Sequence, residues 1–394
     1  MGVTRNINCS SKFKINSICP YFSLFVLVLL LYSIETISRN NVWKDNISLW
    51  QDVVQKSRHK VRGNYNIGVA YDDDGQMAQA VLKYKAVLDI KPLKSDSNYL
   101  LAAINNLGNI YHNQGRLEEA LREYNAALAI KADYPPAYYN IGNLYSQKGA
   151  VEDAIFAYKK AIGLRPNFAE AYTNLGVLYK KAGLFDEAIA QFKEALKRTL
   201  NPITLKVAHQ NLGIIYDEKG FIDRAISEYK KAIEIAPDFI EAYINLGALY
   251  KKAGLFDEAI AQYKEALKRT SDPIMLKAAH QNLGAIYSKK RFIDEAIREY
   301  EEVLKFYMED GDSYYNLGIL YSEKGLWDKA EAAFLNAIKN NSEDSEAHYR
   351  LGIIYTKKLL IDKAIGEFKE SLMLRPDYQE AEEELQKALH LKGK

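Results

Sequence analysis

EAYTNLGVLYKKAGLFDEAIAQFKEALK, from Glu170 to Lys197, returns from Glu241 to Lys268 as EAYINLGALYKKAGLFDEAIAQYKEALK, changed at three places. Looser copies recur about every 34 residues from Val61 to Tyr378. A period of that length marks a helical solenoid, in which each unit packs only on its neighbours. The chain is 394 residues long, and the repeat replaces the prior of two or three ordinary domains.

Nine units begin at Val61, Leu101, Pro135, Ala169, Lys206, Ile240, Lys277, Gly311 and Ser345. In each, the eighth residue is glycine, the eleventh tyrosine, the twentieth alanine and the twenty-fourth tyrosine or phenylalanine. Glycine inside a helix costs about 1 kcal/mol relative to alanine. Nine such losses imply close approach of two helices, with the alanine expected to face the glycine and aromatics beside them. Tyr172, Leu175, Gly176 and Tyr179 form the stripe of a first helix; Ala188, Phe192 and Ala195 form that of a second. Gly183 stands where a helix end favours positive φ, and Asp186 and Glu187 open the second helix at its positive dipole end. Pro92, Pro166, Pro237 and Pro376 close units where no helix continues. The fold class is all-α.

Outside the repeats, residues 1–17 form a polar tail, and residues 18–38 an apolar stretch read as a transmembrane anchor. Seventeen helical residues reach about 25 Å, short of a hydrocarbon core of roughly 30 Å, and continuing through Ile37 closes the gap. The rival reading is a cleaved signal peptide, but no small-x-small site follows. The balance of Lys and Arg leans toward an array on the extracytoplasmic side. Residues 39–60 resemble half a repeat, with Trp50 and Val53 at second-helix packing positions. Residues 379–394 read as a charged capping helix, which an open array requires. Ile203–Leu205 and Ile274–Leu276 are extra to the period after units four and six, and six extra residues follow unit one.

The pattern LG…Y…A…(F/Y)…A…P over residues 61–378 resembles the tetratricopeptide repeat. That resemblance implies antiparallel helix pairs in a right-handed superhelix, first helices lining a concave face that binds peptides or partner proteins. The sixth residue is asparagine in eight units: Asn66, Asn106, Asn140, Asn174, Asn211, Asn245, Asn282 and Asn316, with Arg350 in the ninth. On an isolated helix this position lies roughly opposite the packing stripe. A row of amides matches the N–H and C=O groups of an extended backbone. It is similar to the asparagine ladder of O-linked N-acetylglucosamine transferase repeats; the alternative is a structural habit of the repeat. Tyr65, Tyr139, Tyr315 and Tyr349, with Arg350, are further candidates for flanking the groove.

Other chemistry is not indicated. Lys+Arg of 53 against Asp+Glu of 51, interspersed, offers no basic stripe for nucleic acid. Cys9 and Cys19 precede the repeats, so no cysteine framework or metal site lies within them. His209, His280 and His348 share the fourth position and read as packing residues, too far apart to hold one ion. No phosphate loop or nucleophile motif appears, so the chain reads as non-enzymatic, without cofactor. An apolar helix followed by RNNVWKDNISLWQDVVQKS is similar to the junction at which membrane glycosyltransferases pass into C-terminal repeats. The alternative reading is therefore the repeat portion of such a transferase, separated from its catalytic part.

Overall fold

The computed structural model describes residues 19–57, 60–90 and 96–393, all but the connections in helices and with no strand. Two compact units divide at Pro166 and Asn167. The first holds α1 (Cys19–Val42), α2 (Asn46–Lys56) and three pairs: α3 (Val61–Asp73) with α4 (Met77–Asp89), α5 (Ser97–Asn113) with α6 (Leu117–Ile130), and α7 (Pro135–Lys148) with α8 (Val151–Leu164). The second holds six pairs and a last helix. These are α9 (Ala169–Lys181) with α10 (Phe185–Leu196), α11 (Pro202–Glu218) with α12 (Ile222–Ile235), and α13 (Ile240–Lys252) with α14 (Phe256–Arg269). Then come α15 (Pro273–Lys289) with α16 (Ile293–Phe306), α17 (Gly311–Glu323) with α18 (Trp327–Asn340), and α19 (Ser345–Lys357) with α20 (Ile361–Leu374), before α21 (Gln379–Lys392). Each unit is a stack of these pairs.

The repeated glycine is explained by a ring rather than by the alanine. A Cβ built on Gly108 would stand 2.5 Å from Tyr124, one on Gly176 2.9 Å from Phe192, and one on Gly352 2.5 Å from Phe368. The same eighth-to-twenty-fourth contact recurs in all nine repeats. The expectation that alanine faces the glycine is therefore corrected: the twentieth-position alanines are fully buried, but the aromatic ring occupies the space a methyl would need. A flat ring lying on bare helix backbone is a contact that only glycine permits.

Turns obey a second rule. The fifteenth residue has φ near +75° in seven repeats, all with glycine, including Gly183 at +74°. Arg291 (φ 64°) and Leu359 (φ 60°) hold the same conformation without it. The three-residue insertions lengthen the following first helix. Asn201 and Asp272 cap α11 and α15 through Ile203 N (2.9 Å) and Ile274 N (2.8 Å), and Pro202 and Pro273 start the extra turn.

At the amino-terminal end, α2 packs Ile47, Trp50 and Val54 on the first core, and Val53 and Val54 lie against Gly63. Residues 1–18 lie outside the described residues, and with them the polar tail and the start of the expected anchor. Along α1, Leu24, Phe25, Leu27, Leu31 and Ile34 are exposed. Among the described residues no helix is long and apolar enough to cross a membrane.

Candidate functional site

The sixth position does not point to open solvent. All eight asparagines are half-buried or buried, Asn211 being 9% exposed, whereas Arg350 is exposed. The outward direction read from one helix is corrected by the neighbouring first helix, which packs alongside, as α5 does on α3 and α11 on α9.

In the first unit, Asn106 Nδ2 donates to Tyr84 Oη at 3.2 Å and its amide also meets Tyr65. Asn140 Nδ2 donates to Asn105 Oδ1 at 2.9 Å. Asn66 has no hydrogen-bond partner among the described residues.

In the second unit, Asn211 donates to Val207 O at 2.8 Å and accepts from Lys180 Nζ at 2.5 Å. Asn282 repeats this with Ala278 O at 2.8 Å and Lys251 Nζ at 2.5 Å. Burial lowers the pKa of both lysines, so each ammonium leans on the amide oxygen in place of water. Asn316 donates to Asp312 O at 2.8 Å, and Asn174 also has an interaction partner. Asn245, between the two lysine-bound amides in sequence, has no hydrogen-bond partner among the described residues. The set is thus unequal: Asn106, Asn140, Asn211 and Asn282 join neighbouring helices, Asn316 bonds within its own helix, and Asn66 and Asn245 keep their hydrogen-bonding capacity.

The fifth-position tyrosines stack on the rings of their own repeats. Centroid separations are 6.1 Å for Tyr65–Tyr84, 5.9 Å for Tyr139–Tyr158, 5.9 Å for Tyr315–Phe334 and 6.1 Å for Tyr349–Phe368. Burial raises the pKa of Tyr65, Tyr315 and Tyr349. Packing therefore accounts for these rings, with one edge left partly open.

The fourth-position histidines each contact a glutamate across the helix pair. His209 Nδ1 lies 2.5 Å from Glu228, His280 Nδ1 2.7 Å from Glu299 and His348 Nδ1 2.7 Å from Glu367. Hydrogen bonding to Glu367 raises the pKa of His348 despite burial. A signal for these pairs stood in the sequence: within the second unit, the twenty-third residue is glutamate only where the fourth is histidine. Among the described residues no group of three or more His, Cys, Asp or Glu is placed to hold a metal ion.

A crevice of about 300 Å³ opens between α17 and α19, lined chiefly by Ile319, Trp327, Phe334, Ile353 and Ile354. Glu323, Arg350 and Lys357 stand on it as charged groups. Sequence periodicity did not single it out, because its parts come from three helices of two repeats.

Tetratricopeptide repeat models match residues 108–149, 142–183, 169–198, 213–254, 240–272 and 315–393, together more than half of the chain. The protein O-mannosyl-transferase TMTC1 of Homo sapiens is 33% identical over 67 residues, which are 17% of this chain and 8% of that protein. The chain thus matches less than a tenth of the length of that curated relative. The crystal structure of MamA is 33% identical and covers 41% of this chain and 94% of its own, with a TM-score of 0.38. The C-terminal part of a repeat-containing protein from Cytophaga hutchinsonii, 18% identical, covers 63% of this chain and 99% of its own, with a TM-score of 0.55. This last likeness concerns the fold alone, an all-helical stack of pairs. With the nine glycine–ring contacts and the repeat matches agreeing in register, the chain belongs to the tetratricopeptide repeat family.

Proposed function

We propose that the array is a non-catalytic scaffold that holds an extended peptide segment or partner protein along its first helices. The observation that carries this reading is one sixth-position amide in each compact unit, Asn66 in the first and Asn245 in the second. Both are half-buried at a position that keeps asparagine in eight repeats, and the side-chain amides of both have no hydrogen-bond partner among the described residues. An amide so placed matches a peptide N–H and C=O together. The test is a pull-down from solubilised membranes with the Asn66→Ala, Asn245→Ala chain beside the unaltered one. Partner recovery is expected to fall several-fold with helix content unchanged; undiminished recovery returns these residues to structural habit. Asn211 and Asn282 suit this test less, since their loss would also strand Lys180 and Lys251.

The scaffold is proposed to be held at a membrane by residues 18–38, with the repeats on the extracytoplasmic side. The unbroken helix of α1 and its exposed apolar side chains support this. Membrane flotation of the full chain, with loss of flotation when the chain starts at residue 39, is the expected result. Flotation that persists without residues 1–38 would remove the anchor.

A second reading is favoured by the match to the O-mannosyl-transferase. Here the chain is the repeat portion of a membrane glycosyltransferase system, its catalytic part elsewhere. In-frame DNA upstream encoding further apolar helices is the expected result; an unrelated upstream gene would sink it.

A further inference from the structure

The crevice between α17 and α19 lies where three departures from the repeat meet. The sixth position carries Arg350, the one unit without asparagine. The ninth position carries isoleucine in two successive units, Ile319 and Ile353, a pairing found nowhere else in the array. The seventeenth carries Trp327, the sole tryptophan of the repeats. Ile319, Trp327 and Ile353 are partly buried and Arg350 is exposed beside them, and tryptophan and arginine are among the residues that dominate binding at interfaces.

We propose that this crevice takes one large apolar side chain of an extended partner segment whose neighbouring residue is a carboxylate. The apolar half follows from the lining, and a volume of about 300 Å³ lies at the small end of ligand pockets, fitting one aromatic or branched side chain rather than a cofactor. The acidic half follows from the rim. Glu323 is bonded to Arg291 at 3.1 Å, and Arg350 to Glu346 at 2.9 Å. Lys357 is exposed and has no ion-pair partner among the described residues, so the rim carries one uncompensated positive charge. Strain lies beside it. Trp327 also lines a second crevice with Lys358, and the next residue, Leu359, is 81% exposed at a positive φ. A leucine exposed and strained is unfavourable in the free chain, and such outliers gather where a surface is used.

The proposal rests on reading the array as a peptide scaffold, and its test separates the two. The probe is a fluorescein-labelled twelve-residue peptide with one phenylalanine between two aspartates in a glycine–serine background, followed by anisotropy against the full chain. Replacing the phenylalanine by alanine is expected to weaken binding at least tenfold, and replacing the aspartates by asparagine about threefold. Trp327→Ala should weaken it at least tenfold. Lys357→Glu, a surface change that leaves the fold intact, should remove the preference for aspartate. Binding unaltered by Trp327→Ala and Lys357→Glu, or no binding by the unaltered chain, overturns the crevice. Those outcomes leave the scaffold reading to the asparagine pull-down, while loss of that reading shows as undiminished partner recovery there.

Discussion

One repeat contains three sites, seven residues apart, at which glycine has opposite values. Gly352 lies under the fully buried ring of Phe368, which a methyl group would meet at 2.5 Å. Gly366 lies within α20 with nothing in reach of a Cβ, and Leu359 holds a left-handed turn without glycine. Gly352→Ala is expected to destabilise by about 2–3 kcal/mol through overpacking. Gly366→Ala should stabilise by about 0.5–1 kcal/mol by relieving helix entropy. Leu359→Gly should gain roughly 0.5 kcal/mol, since relief of the left-handed cost is partly offset by glycine's freedom when unfolded. Urea midpoints followed by circular dichroism give all three values. Equal effects at Gly352 and Gly366 would refute the ring contact as the reason for the repeated glycine. The sequence marks that position as glycine in every repeat; the identity of its neighbour is set by the packing of the pair.

The pair of α19 and α20 carries a histidine whose titration is coupled to folding. His348 on α19 meets Glu367 on α20, with Glu370 and the Ser342 backbone also acting on the imidazole. Its folded pKa lies above the ordinary value of 6.5, so its contribution is complete below about pH 6.5 and is lost as pH rises through the raised pKa. The stability difference between the unaltered chain and His348→Tyr should therefore shrink between pH 5.5 and 8. Tyrosine is the natural choice because other repeats carry it at this position. A difference constant over that range would exclude the pair as a source of pH dependence. Pairs are also joined to one another by surface ion pairs, such as Lys219–Asp186 at 2.7 Å and Lys358–Asp328 at 2.6 Å. Being exposed on the acid side, they set register more than stability.

Within each compact unit, successive repeats pack on one another, and in the second α21 covers the ninth. Ala381, Leu385 and Ala388 are buried at positions three, seven and ten of a first helix, and Lys392 joins Asp362 at 2.6 Å. Position eight, however, is the exposed Gln386, and the outer faces carry Glu380, Glu382, Glu383 and Lys387. Without a ring to receive, glycine has no use there. A chain ending at residue 378 is expected to lose cooperativity in its last repeats and to self-associate, because α20 would be uncovered. Sedimentation velocity at increasing concentration checks this; a monomer with an unchanged urea midpoint would deny α21 its covering role.

Much of this architecture was legible in the residues. The period and the glycine, alanine and aromatic positions are local rules that repetition states nine times over, the turn glycine is stated seven times, and the charged last helix is read from its own composition. They determine helix pairs and the register in which pairs stack. What a half-exposed position does depends instead on the rotation and shift between successive pairs, and no single repeat encodes those in its own periodicity. Tertiary structure alone therefore decided that four of the asparagines reach neighbouring helices, that Lys180 and Lys251 engage two of these, and that Asn66 and Asn245 have no side-chain hydrogen-bond partner among the described residues. It also brought Ile319, Trp327 and Ile353 around one crevice. A side chain's own helix fixes its direction, but its environment belongs to the next helix.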